Sequence, residues 1–395
     1  MTDSMLANPG GLLAPNEVVG REKMIQRLWH VLNRQSLVLT AERRIGKTSI
    51  IKKMRAESPE AWTPFFRDLE GLRTPLAFVQ DLYAETRQFL GKKQRAAKGF
   101  NALLKEFGGI EIAGVIKLPE RSDTHWQALM MAIFTELSAR EDKRFVFFWD
   151  EMPLMLENFK ASHGEQLAMA FLDSLRAVRQ NHGRIRMVFT GSIGLHHVIS
   201  QLKKSGYANA PINDMFTMEV PPLAERDAAD LAQKLLKGEG IETSDVAALA
   251  DVIAAEVGYI PYYIHHVVDQ LGSRGEPVAP EALSGIVEAC LLDSQDPWDM
   301  AHYRERIDTY YRLESEDHTR LVVQILDEVA SAEGALDFEQ LIAKLGHCQL
   351  EPEPEALRSL LMLMQRDHYL VQSKSGFSFR HLLVSRWWAL SRGLR

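Results

Sequence analysis

Gly46-Lys47-Thr48-Ser49 follows the apolar run Ser36-Leu37-Val38-Leu39-Thr40 and leads into Ile50-Ile51-Lys52-Lys53-Met54, which sets an ammonium and two hydroxyls at the mouth of a helix. A helix N-terminus carries unsatisfied N–H groups and partial positive charge, so a loop opening into one is a ready anion site. Lys47 adds a full charge that reaches the β- and γ-phosphates of a nucleotide, and the Thr48 hydroxyl is a ligand for magnesium. Arg43, Arg44, Ile45, Gly46 and Ser49 complete the phosphate-facing loop and its first helical turn. The usual pattern opens on glycine, whereas Ala41 stands here. Were that position left-handed, the methyl would cost about 1–2 kcal/mol, so the loop is expected to pass Ala41 in ordinary geometry. The expected ligands are ATP or ADP with Mg2+.

A second constellation closes the most apolar strand candidate, Arg144-Phe145-Val146-Phe147-Phe148-Trp149, with Asp150-Glu151. Ligands of open parallel sheets bind at the carboxyl ends of the strands, so both acids are expected beside the phosphate loop. Asp150 would hold the metal and Glu151 would orient the attacking water or take its proton. Thr190-Gly191-Ser192 ends the next strand candidate, where Ser192 can contact the γ-phosphate. Both glycine and serine also favour turns on their own account. Gly258-Tyr259-Ile260-Pro261 breaks a helical region and is read as a helix boundary.

These groups need a scaffold that brings distant segments together. Strands are expected at 36–40, 63–69, 144–149 and 185–190, alternating with helices that begin near Met24, Pro75 and Trp126. Such alternation predicts a parallel sheet covered on both faces, an α/β nucleotide-binding core of doubly wound type over 17–221, preceded by an extended arm at 1–16. Residues 91–119 interrupt the alternation with the basic run Lys92-Lys93-Gln94-Arg95-Ala96-Ala97-Lys98 and an alternating stretch at 110–118 that suggests a small hairpin. Beyond Pro222 helical periodicity takes over, giving an all-helical lid over 222–290 and a connector over 291–317. From 318 to 395 three helices, one capped by Asp337 and one begun by Pro354, precede two short strands joined at Ser375-Gly376. That order predicts a winged helix.

With 395 residues the chain is expected to form two or three domains. Charged residues make up 25% and the net charge is -7, so no whole-surface nucleic-acid binder is indicated. Cys290 and Cys348 are the sole cysteines, which excludes a disulfide framework and suits a cytoplasmic protein. No stretch reaches the roughly 20 apolar residues of a membrane span, and residues 1–16 lack the build of a signal peptide.

The loop Ala41-Glu42-Arg43-Arg44-Ile45-Gly46-Lys47-Thr48-Ser49, with Val19-Gly20-Arg21-Glu22, Phe66-Arg67-Asp68-Leu69-Glu70-Gly71 and Gly258-Tyr259-Ile260-Pro261, resembles the archaeal-type ATPases of the STAND branch of the AAA+ superfamily. The resemblance covers nearly the whole chain. It implies an ATP-binding, slowly hydrolysing molecular switch that controls a partner or an assembly, and a role in defence or signalling fits it. It further implies that Val19, Gly20 and Arg21 border the adenine, that Pro261 falls near the base, and that Arg380 or His381 of the winged helix reaches the nucleotide.

The alternative is a DNA-associated AAA+ ATPase resembling initiator or transposition regulators, touching DNA through 92–98 or near Lys374. Against it, the third helix of the expected winged helix begins Glu351-Pro352-Glu353-Pro354-Glu355, three acids where a DNA reader presents donors. Arg176, Arg179, Arg184 and Arg186 are the candidates for completing a neighbouring subunit's site.

Overall fold

Four parallel pairings join five strands, β1 (Leu37–Thr40), β2 (Trp62–Asp68), β5 (Arg144–Asp150), β6 (Ile185–Phe189) and β7 (Phe216–Glu219), into one sheet of order β2-β5-β6-β1-β7. The structure is a computed structural model that describes residues 4–90, 110–112, 115–117, 125–191, 194–311 and 316–394. By contact the chain divides into two compact units. One holds the sheet; the other takes in the arm through Leu13, residues Glu42–Gly46 and the chain from Pro221 onward.

In the sheet unit, β5 is buried along all but its first residue, as a strand covered on both faces must be. On one face Phe147 stacks on Phe65 at 5.0 Å and meets Phe134 of the helix Trp126–Ser138 edge-on at 5.4 Å. On the other, Phe148 meets Trp29 of the helix Glu22–Leu32 edge-on at 6.1 Å. Period-two alternation sends successive side chains to opposite faces, so this one run supplies aromatic core to both layers. The chain leaves β1 toward β2 at the far edge and later passes from β6 to β7 on β1's other side. The carboxyl end of β1 is therefore the switch point of the sheet, where such folds bind ligands. The edge strand β7 was not among the expected strands. It is four residues long, and its place depends on pairing Leu37–Thr40 with Phe216–Glu219 rather than on any apolar run of its own.

An antiparallel pair, β3 (Ile110–Ile112) and β4 (Val115–Lys117), stands where alternation at 110–118 predicted a hairpin. The basic run 92–98 lies outside the described residues.

In the second unit, helices Glu225–Gly238, Val246–Glu256 and Pro261–Arg274 pack through Leu231, Leu235, Leu249, Ile253, Ile264 and Val268, all essentially inaccessible. The arm lies on these helices. The Met5 N–H donates to Lys234 C=O at 3.0 Å, Ala7 N–H to Glu239 Oε1 at 2.7 Å and Asn8 N–H to His265 Nδ1 at 3.1 Å. Helices Leu283–Leu291 and His302–Tyr310 follow, then Glu316–Ser331, Phe338–His347 and Pro354–Arg366. The strands β8 (Leu370–Ser373) and β9 (Gly376–Phe379) pair antiparallel, and helix Leu382–Ser391 ends the described chain. Asp337 caps its helix through Gln340 N–H at 2.8 Å, and Gln340 returns the favour to Asp337 N–H. Leu336 exchanges two backbone hydrogen bonds with Phe377, at 2.9 and 2.7 Å. That approach needs glycine at 376, since φ is 125° and a β-carbon would sit 2.3 Å from the Leu336 backbone. Among the described residues no helix is long and apolar enough to cross a membrane.

Candidate nucleotide-binding site

The helix Lys47–Ala56 starts one short loop after β1. Ala41 has no positive φ; the left-handed positions are Arg44 at 73° and Gly46 at 99°. The methyl of Ala41 therefore sits in ordinary backbone, which is the geometry its residue type demanded. Lys47 is 7% exposed and curls back to donate from Nζ to Ala41 C=O at 2.9 Å. Thr48 Oγ1 donates to Asp150 Oδ2 at 2.5 Å. Residues 102 apart in sequence thus meet at the ends of neighbouring elements.

Asp150 is the pivot. It is 4% exposed, and its Oδ1 accepts from the Thr190 hydroxyl and, at 3.1 Å, from Glu151 N–H. Thr190, the end of the fourth expected strand, is thus a contact of the carboxylate. A hydroxyl and a carboxylate at this separation form an oxygen-only donor set of the kind that suits a hard divalent cation. Glu151 takes φ 54°, outside the usual range for a residue with a β-carbon, and leads straight into the helix Met152–His163. Its neighbour Met152 donates from N–H to Thr190 C=O at 3.1 Å, locking that turn against the end of β6. Ser49 lies in the first turn of its helix, half-buried. Ser192 lies outside the described residues.

Val19, Gly20 and Arg21 lead into the helix Glu22–Leu32, with Gly20 at φ 70° and Arg21 4% exposed. This segment is anchored to the phosphate-loop helix, because Lys53 Nζ donates to Pro15 C=O at 2.8 Å.

Residues 42–46 pack with the C-terminal unit. Arg44 donates to Asp299 Oδ2 at 2.7 Å and lays its guanidinium over the Tyr262 ring at 4.4 Å. Arg43 lies 3.6 Å from the same carboxylate and is 46% exposed. Ile45 is buried. Pro261 opens the helix Pro261–Arg274, after Gly258 and Tyr259 at φ 63° and 62°. Two consecutive left-handed residues and a proline make a rigid turn, not a gradual helix end.

Sequence reasoning missed Glu42, Asp299 and Tyr303. Tyr303 donates to Glu42 Oε2 at 2.9 Å, and His381 Nε2 lies 2.9 Å from Oε1, off the line of an ideal hydrogen bond. Burial, then the Glu42 charge, pushes the Tyr303 phenol well above its ordinary range, so it stays a donor. One signal was readable: a carboxylate inside an anion-binding loop has the wrong sign for the ligand and needs another reason to be there. Of the four arginines weighed for a neighbour's site, three are committed within their own unit: Arg184 donates to Glu141 C=O at 2.8 Å, and two more hold partners of their own. Arg179 pairs with Asp214 at 2.8 Å, and Arg186 donates to the Leu32 and Arg34 carbonyls at 2.9 and 3.2 Å.

Burial draws the imidazole of His302 down to about 4, with Asp299 C=O working against the shift and Arg306 adding to it. Its folded value lies below the ordinary 6.5, so the unfolded chain takes up a proton that the folded one refuses. Stability is fully present above about pH 6.5 and falls as pH drops toward about 4. The urea midpoint should therefore decline between about pH 7 and pH 5, and less steeply in His302→Asn. Identical declines in both proteins would remove His302 from the account.

No family model matches the sequence, and no curated protein matches it. Solved structures do. The Walker-type ATPase of Pyrococcus abyssi superposes with a TM-score of 0.66 at 14% identity, over 97% of this chain and 99% of that one. The ORC2 protein of Aeropyrum pernix, solved with ADPNP and ADP, gives a TM-score of 0.50 at 12% identity, over 100% of this chain and 96% of that one. At such identities the likeness shows the fold: an α/β P-loop core with a helical lid.

Proposed function

We propose that this chain is an ATP-binding, slowly hydrolysing switch of the STAND branch of AAA+ proteins, controlling a protein partner or its own assembly in the cytoplasm. The observation that carries the reading is the Thr48–Asp150 contact of 2.5 Å beside the buried Lys47, at the carboxyl ends of β1 and β5. Lys47 and the loop amides bind the phosphates. Thr48 and Asp150 hold Mg2+, which offsets phosphate charge when bound. Glu151 orients the attacking water or accepts its proton. Thr190 fixes the Asp150 carboxylate, and Val19, Gly20 and Arg21 take the base and ribose. The helices Glu316–Ser331, Phe338–His347 and Pro354–Arg366 with β8 and β9 are read as the winged helix of such switches. The three acids at its third helix remain an obstacle to DNA, though Glu353 serves there as a cap, accepting from Ala356 N–H at 2.7 Å. No observation among the described residues favours the DNA-associated reading over the protein-partner one.

Ligand that binds only the folded state stabilises it by about 2.7 kcal/mol at a hundredfold excess over Kd. ATP or ADP with Mg2+ at saturation should therefore raise Tm by several degrees, and chelation should reverse part of the shift. An unchanged Tm with either nucleotide at millimolar concentration would sink the assignment.

A further inference from the structure

We propose that Glu42 is a positioning residue that couples occupancy of the phosphate loop to the seating of the β8–β9 hairpin. The inference rests on the nucleotide-binding reading above and goes beyond it, because it assigns a role to an acid that neither phosphate binding nor hydrolysis uses.

Glu42 is 2% exposed, and Tyr303, which holds it, is 1% exposed. Burying a carboxylate costs several kcal/mol unless donors replace its water. Here the Tyr303 hydroxyl donates at 2.9 Å to one carboxylate oxygen, and the His381 ring lies 2.9 Å from the other. Both residues belong to the foundation of the hairpin. Tyr369, immediately before β8, donates its hydroxyl to Tyr303 C=O at 2.7 Å. Arg380, immediately after β9, donates its N–H to Tyr369 C=O at 2.9 Å, and His381 follows it. The two feet of the hairpin therefore stand on Glu42 and Tyr303.

The same loop grips this region a second time. Arg44 holds Asp299, and Asp299 C=O in turn contacts His302 Nδ1 at the start of the helix His302–Tyr310. A loop tied at Glu42 and at Arg44 cannot change conformation around a triphosphate without moving either the hairpin base or these bonds. Nucleotide that fixes the loop fixes the Glu42 carboxylate, and with it the platform under Tyr369 and His381.

The test is hydrogen exchange on the full chain, reading the amides of 369–384 with and without saturating ADP and Mg2+. Couplings between sites run at about 1–3 kcal/mol, so ADP should slow the hairpin amides of the wild type by about fivefold or more. Tyr303→Phe removes one hydroxyl outside the loop. It should bind ADP yet lose most of that response. Glu42→Ala should lose it entirely, and Glu42→Gln, which still accepts from Tyr303, should keep a part. A hairpin that merely needed these groups for stability would exchange faster in every variant but respond to ADP as before, and that result overturns the coupling. So does a wild type that binds ADP with no change in 369–384. A wild type that binds no ADP at all instead overturns the nucleotide reading, and this inference with it. Should Glu42→Ala fail to fold, Tyr303→Phe carries the decision.

Discussion

Lys47→Ala should lose nucleotide affinity by about 10²–10³-fold, because an ammonium that meets phosphate oxygens in a sheltered loop is worth about 3–4 kcal/mol to the complex. The loss should fall more heavily on binding than on folding. Lys47 Nζ donates to the carbonyl of Ala41, a neutral acceptor in its own loop, at 2.9 Å. A hydrogen bond from an ammonium to a neutral carbonyl contributes about 1.5–3 kcal/mol, less than the phosphate interaction it gives way to. Calorimetric titration with ADP and Mg2+, alongside urea denaturation of the free protein, separates the two effects. Affinity equal to the wild type's would count heavily against the loop assignment, and a collapse of stability with intact affinity would reverse the roles given to this lysine.

The second large effect is expected from Glu151→Gln. A group that takes a proton from the attacking water typically contributes about 10²–10⁴-fold, so phosphate release should fall by at least about tenfold while ATP still binds. The substitution keeps size and hydrogen-bonding capacity and removes the basicity. The left-handed backbone at Glu151 is as accessible to Gln as to Glu, so the turn between β5 and the helix Met152–His163 should survive. Single-turnover hydrolysis measured at saturating ATP reads the chemical step directly. Full turnover in the variant would remove Glu151 from the mechanism.

Much of this arrangement was legible in the residues. The apolar run 144–149 can form only a strand buried on both faces, and its terminal acids can then only lie at the sheet's carboxyl edge. The cap residue Asp337 and the proline at 354 fixed two helix starts to the residue, since a cap side chain or a missing N–H acts locally. The loop's tolerance of Ala41 followed from the cost of a methyl in left-handed backbone alone. By contrast β7 left no trace that local reasoning detects: a four-residue edge strand is stabilised by the β1 backbone it pairs with, not by its own pattern.

The sequence by itself determined which groups are on offer, a lysine and two hydroxyls at a helix start and two acids at a strand end, because residue type and short-range spacing determine charge, donors and helix starts. Only the tertiary structure decided how those groups are governed. It set Thr48 against Asp150 and Thr190 against the same carboxylate, and it gave Glu42 to Tyr303 and His381 and Arg44 to Asp299. Each of these pairs joins segments from 40 to well over 200 residues apart. No local pattern encodes such contacts, since the free energy that holds them comes from burial of the surrounding core and not from the residues that meet.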